Sequence, residues 1–127
     1  MENKFLIDTH IFIWSMEKKK RLSENIFKLL NNPQNSIYIS VATIWEMTIK
    51  AGRKKLKIPN NIEYVIKSAG FNILPIQLDH ILRIKSLPAY HSDPFDRILI
   101  AQSQVENLTF ITSDQKIWKY KLDILKA

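Results

Sequence analysis

The chain has 127 residues, 46% of them hydrophobic, no cysteine, and a formal net charge of +7 with a pI of about 9.7. That length suits one domain, here residues 1–127, able to bury its own core, and the lack of cysteine excludes a disulfide framework, thiolate metal sites and thiol nucleophiles. No apolar run is long enough for a bilayer and the start lacks a signal peptide's pattern, so a cytoplasmic protein without a membrane partner is expected, with a surface that attracts polyanions.

KFLI at 4–7 is a short apolar run ending in DTH, which predicts a buried strand followed by a helix start and a first short helix through IFIWSM. EKKKR at 17–21 is the first basic cluster. Ser23 is placed to cap a helix over ENIFKLLNN, closed by Pro33. IYIS at 37–40 reads as the second strand, with Ser40 capping VATIWEMTIKA and Gly52 ending it. A second basic cluster, KAGRKKLK at 50–57, follows before the helix NIEYVIKSAG, which has a glycine just past its end. NILPI is the third strand candidate, and LDHILRIKSL a helix capped by Asp79 and stopped near Pro88.

HSDPFDRILIAQ, at 91–102, opens the next helix with Asp93 before Pro94, and LTFIT at 108–112 makes a fourth strand. DQKIWKY and a short terminal LDIL finish the chain, carrying the third basic cluster. Lysine, isoleucine and asparagine are all frequent, which an AT-rich coding sequence alone produces, so the charge only supports other arguments. Strands and helices alternate from end to end. That predicts an α/β domain with a mainly parallel, twisted sheet covered by helices on both faces.

Local roles account for each acid taken singly. Asp8 and Asp114 follow strands and suit helix or turn caps; Asp93 suits the cap before Pro94, and Asp96 the third helical position. Glu46 has Lys50 at the i, i+4 spacing. Topology changes the balance, because all strand-to-helix junctions of a parallel sheet lie along one edge, where ligand sites form near a switch in strand order. Asp8, Glu46, Asp96 and Asp114 then converge. Two like charges ~4 Å apart repel by about 4 kcal/mol at an effective dielectric of 20. Protonation or a cation relieves that, and an all-oxygen donor set without cysteine selects Mg2+ or Mn2+.

LIDTHIFIW, SVATIWEMTIKAGRKKL, LPAYHSDPFDRILIAQ and FITSD occur in this order over essentially the whole chain. Together they resemble the PIN-domain family, and closely the VapC toxins of type II toxin–antitoxin systems. The resemblance implies a three-layer PIN-like fold and a metal-dependent endoribonuclease, a hydrolase of RNA phosphodiester bonds. It places the family's catalytic, metal-holding acids at Asp8, Glu46, Asp96 and Asp114, with Thr112 supporting them. It also implies RNA as substrate, a cognate antitoxin as partner and a homodimer.

Asp93 is read mainly as the helix cap, with a supporting role beside the metal left open. Arg97, His91 and Lys50 are candidate substrate contacts, with surface or packing roles as the alternative. His10 has the same two readings, His80 is expected simply in a helix's first turn, and Trp14, Trp45 and Trp118 are read as core or dimer contacts. Ser92 departs from the basic residue expected there in this subgroup. The main rival is a non-cleaving, acid-lined α/β module that binds RNA or a partner. Receiver-like or phosphatase-like phosphotransfer fits poorly, because Asp8-Thr9-His10 lacks a second acid. DNA as substrate is disfavoured by the resemblance, not by the chemistry.

Overall fold

Leu6 and Ile7 show how the first strand, β1 (Lys4–Ile7), builds the core: as neighbours on a pleated strand they point to opposite faces of the sheet, and both are fully buried. In this computed structural model, which describes residues 3–17, 22–53 and 58–127, the elements that follow are α1 (Thr9–Met16), α2 (Glu24–Leu30), β2 (Ser36–Ser40), α3 (Val41–Gly52), α4 (Ile62–Ser68) and β3 (Asn72–Leu74). Then come α5 (Leu78–Ile84), α6 (Pro94–Glu106), β4 (Thr109–Thr112), a 3-10 turn (Ile117–Lys119) and β5 (Ile124–Lys126). Most of the basic clusters at 17–21 and 50–57 lies outside the described residues.

The sheet order is β3-β2-β1-β4-β5, and every pairing is parallel. The terminal LDIL contributes β5, an edge strand whose shortness left it without a periodic signal. The chain builds outward from β1 through β2 to β3, then crosses to β4 on β1's other side. Strand order therefore reverses between β1 and β4, and the carboxyl ends of these two strands flank a crevice.

Helices cover both faces. On one, Leu6 and Phe110 pack with Ile98, Leu99, Ile100 and Ala101 of α6. On the other, Ile7 and Ile111 pack with Ile11 and Phe12 of α1, Ile26 and Leu30 of α2 and Ile66 of α4. Ser23 and Ser40 cap α2 and α3, accepting from the N–H groups of Ile26 (3.2 Å) and Ala42 (3.0 Å). Gly52 is the last residue of α3 rather than its stop, whereas Gly70, with φ of 80°, makes the turn after α4.

The cap of α5 differs from the sequence expectation. Gln77 occupies the N-cap position and Asp79 sits in the first turn. His80 is fully buried: its Nδ1 accepts from the Gln77 N–H at 3.0 Å, and its Nε2 lies 2.7 Å from Glu106 on α6. A histidine at the third helical position thus substitutes for an acidic residue as the partner of the cap's backbone, and also ties α5 to α6.

Candidate metal centre

Asp8 caps α1 and faces the crevice. Its Oδ1 accepts from the Ile11 N–H at 2.9 Å, its Oδ2 accepts the hydroxyl hydrogen of Thr112, and only 3% of the residue is exposed. Thr112 ends β4, so this bond spans the β1–β4 crevice. The same Thr112 oxygen accepts from the Asp114 N–H at 3.0 Å. One hydroxyl therefore orients two acids that lie far apart in sequence.

Glu46 enters from α3, between one and two turns from the end of β2. Its Oε1 accepts from the Thr9 hydroxyl at 2.7 Å, and Thr9 Oγ1 lies 3.2 Å from the Thr43 hydroxyl. Its Oε2 pairs with Lys50 at 3.1 Å. Thr9 and Thr43 are buried polar residues that the sequence reading missed. The available signal was Thr9's place directly after Asp8, at the start of a helix whose next turn is apolar.

The two aspartates of SDPFD divide their work. Asp93 is the cap of α6, with Oδ1 accepting from the Phe95 N–H at 2.8 Å and the Asp96 N–H at 3.4 Å. Asp96, one turn further on, turns its carboxylate away from the cap. Its Oδ2 lies 3.0 Å from His91 Nε2. Asp114 Oδ2 lies 2.8 Å from the same nitrogen, while Asp114 Oδ1 accepts from the Lys116 N–H at 2.9 Å.

His91 is fixed at both ends of its ring. Nδ1 accepts from the Asp93 N–H at 3.1 Å, which leaves Nε2 as the hydrogen-bearing nitrogen facing both carboxylates. Ligand atoms of His91, Asp96 and Asp114 all lie within 4.8 Å of one another. With Nε2 committed as a donor, the imidazole clamps Asp96 and Asp114; a metal-ligating nitrogen needs its lone pair free and its hydrogen on the other side of the ring.

The electrostatics match a site built for a cation. Burial pushes the Asp8 carboxyl up, against the opposing hydrogen bonds from Thr112 and Ile11. Asp96 is pushed up to about 7, first by burial and next by the charge of Asp93, with Glu46 and Asp8 adding to it and His91 opposing. Carboxylate oxygens that are partly desolvated and short of compensating charge suit a hard divalent ion such as Mg2+ or Mn2+. The donor set fits such an ion.

The sequence matches the family model of the PIN domain over residues 5–121. The chain belongs to the PIN-domain family. No curated protein matches it significantly. Its fold is similar to VapBC2 from Rickettsia felis bound to a promoter DNA fragment, at 14% identity and a TM-score of 0.72, with 98% of each chain covered. It is also similar to DNA-bound VapBC from Salmonella typhimurium, at 18% identity and a TM-score of 0.71 over 99% of this chain and 98% of that one. A toxin–antitoxin complex from Klebsiella pneumoniae matches at 23% identity and a TM-score of 0.64, with 95% of each chain covered.

Within this PIN domain, Arg97 turns away from the acids. Its guanidinium donates to the carbonyls of Ile84, Leu87, Pro88 and His91 at 3.0–3.5 Å, stapling the α5–α6 connection that carries His91. Its geometry is that of a loop staple, the packing alternative to the candidate substrate contact. His10 is exposed beside Trp14, and Trp118 donates its indole N–H to the Thr112 carbonyl at 3.1 Å. Trp45 is 57% exposed and packs edge-on against Phe95.

Proposed function

We propose that this PIN-domain protein is a metal-dependent endoribonuclease and the toxin of a type II toxin–antitoxin pair. The observation that carries the reading is the gathering of Asp8, Glu46, Asp96 and Asp114, from four separate segments, at the crevice where strand order reverses. Asp8, Asp96 and Asp114 would hold Mg2+ or Mn2+, with Glu46 completing the acidic wall. A bound ion of this kind activates water and neutralises phosphoryl charge.

The chain's own residues prepare that chemistry. Thr112 fixes Asp8 and the backbone entering Asp114; Thr9 fixes Glu46; His91 holds Asp96 and Asp114 at a common distance. Lys50 neutralises the outer oxygen of Glu46. The acids repel a polyanion, while the chain's formal charge of +7 attracts one.

The antitoxin reading rests on the fold neighbours, which are toxins in complex with their antitoxins. The homodimer reading is supported by an apolar face where Trp45, Leu78, Ile81 and Leu82 are all at least half exposed. Among the described residues no helix is long and apolar enough to cross a membrane; the reading of action in the cytoplasm rests on the family.

The test is incubation of wild-type and Asp8→Asn protein with total bacterial RNA in magnesium, in manganese and in a chelator, followed by mapping of RNA ends. Discrete metal-dependent cuts by the wild type alone are expected. Equal RNA binding by both proteins without cleavage would favour the non-cleaving module instead.

A further inference from the structure

A cleft of about 400 Å³, lined among others by Arg83, Ser86, Tyr90, Gln104, Lys119 and Lys121, is joined to the acidic site through the bond from the His91 N–H to Tyr120. Its walls continue the segments that build the acidic site. One wall is the α5–α6 connection, where Tyr90 directly precedes His91; the other is the stretch after β4, where Lys119 and Lys121 follow Asp114. Tyr120 joins the walls, accepting from the His91 N–H at 2.9 Å and donating to the Pro88 carbonyl at 2.8 Å. Gln104 of α6 donates to the Lys121 carbonyl at 3.2 Å and fixes the second wall.

Arg83, Lys119 and Lys121 form no ion pair among the described residues, whereas Lys28, Lys50 and Lys67 each have a carboxylate at the i, i+4 spacing. A bland account exists for Arg83, which lies in the last turn of α5 and suits the negative end of that helix. It does not explain why cations from a second segment face the same concavity. Tyr90 adds a second kind of group. Its ring packs edge-on against Tyr120, centroids 5.1 Å apart, and the residue stays 50% exposed. Unpaired cations with an open aromatic face in a groove are the pattern that holds a single nucleic-acid strand, phosphates on the cations and a base on the ring.

We propose that this cleft binds the single-stranded RNA that flanks the cut bond, with Arg83, Lys119 and Lys121 on its phosphates and Tyr90 stacked on one base. The assignment rests on the ribonuclease reading of the adjoining crevice. It also supplies what the crevice lacks, because a wall of carboxylates cannot itself retain a polyanion. Asp123 lies in a neighbouring depression that also contains Lys121.

The experiment measures binding of a fluorescent single-stranded RNA oligonucleotide in chelator, so that no cleavage accompanies it, across a salt series. The variants are Arg83→Ala/Lys119→Ala/Lys121→Ala, Tyr90→Ala, and a charge-matched control, Lys28→Ala/Arg53→Ala/Lys67→Ala, on other surfaces. The cleft triple is expected to reduce the slope of log affinity against log salt by about 2, at ~0.7 per lost phosphate contact on a single strand. Tyr90→Ala is expected to weaken binding about 5- to 150-fold at constant salt slope. In metal, the triple should raise KM for cleavage far more than it lowers kcat.

Equal losses from the control triple, or unchanged binding and KM in the cleft triple, would overturn the cleft while leaving metal-dependent cleavage by the wild type intact. A wild type that binds RNA through the cleft yet never cuts it would instead overturn the ribonuclease reading alone.

Discussion

Thr112 donates its hydroxyl hydrogen to Asp8 across 104 positions of sequence, and this bond joins the ends of β1 and β4 where strand order reverses. The same oxygen accepts from the Asp114 N–H. Removing the hydroxyl while keeping the shape, as in Thr112→Val, leaves both acids free to turn. Loss of such an outer partner typically weakens metal binding about 10- to 100-fold. Calorimetric titration with Mn2+ should show that loss for Thr112→Val and near-normal affinity for Thr112→Ser; equal affinity in all three proteins would show that the hydroxyl serves packing alone.

His91 provides a second, separable test. Its Nδ1 is occupied by the Asp93 N–H, so its Nε2 acts as a donor to Asp96 and Asp114. His91→Gln keeps an N–H near that position and should retain much of the Mn2+ affinity that His91→Ala loses. Pulsed EPR of bound Mn2+ should show no directly coordinated histidine nitrogen. A strong nitrogen coupling that vanishes in His91→Ala would make His91 a ligand instead of a clamp.

Asp96 links the site to stability. Its folded pKa of about 7 lies above the ordinary value of 3.8. Between those values the folded state binds the proton and the unfolded chain does not, so metal-free stability falls as pH rises from about 4 to about 7. Asp96→Asn removes that dependence. At pH 8 the metal-free variant should melt higher than wild type, by about 3–6 °C for each kcal/mol gained in a domain of this size. Thermal melts at pH 5 and pH 8 in chelator check it: the difference between variant and wild type must grow with pH.

How much of this was legible in the sequence follows from what each signal is made of. Apolar runs, serine caps and the Asp93-Pro94 start are local, and the structure places β1, α2, α3 and α6 close to where those signals put them. The convergence of the four acids followed from parallel topology, a global inference that needed only the alternation of elements. Side-chain direction was not legible. The proline after it marked Asp93 as the cap, but nothing in SDPFD says that Asp96 turns its carboxylate to His91. For the same reason the sequence left two readings of Arg97, substrate contact or surface and packing role: one step along a helix changes the face by about 100°, and Arg97 reaches back to the α5–α6 connection. β5 is too short for its periodicity to register.

Arg97 yields a prediction of the opposite kind, stability first and activity through it. Replacing it leaves the carbonyls of Ile84, Leu87, Pro88 and His91 without their shared donor. Hydrogen bonds from a charged group are worth about 1.5–3 kcal/mol, so Arg97→Met should cost roughly 2 kcal/mol in urea denaturation. Lysine has no planar fork, and Arg97→Lys should recover only part of it. A variant as stable as wild type would show that the Arg97 bonds add nothing net to the stability of the α5–α6 connection.

Whether acids from four segments form one divalent-metal centre is read out by Mn2+ titration followed by EPR on wild type, Asp8→Asn and Asp96→Asn. The wild type should bind Mn2+ in competition with Mg2+, and each variant, still folded by circular dichroism, should lose at least tenfold in affinity. Folded variants that bind Mn2+ as tightly as wild type would contradict a single shared centre.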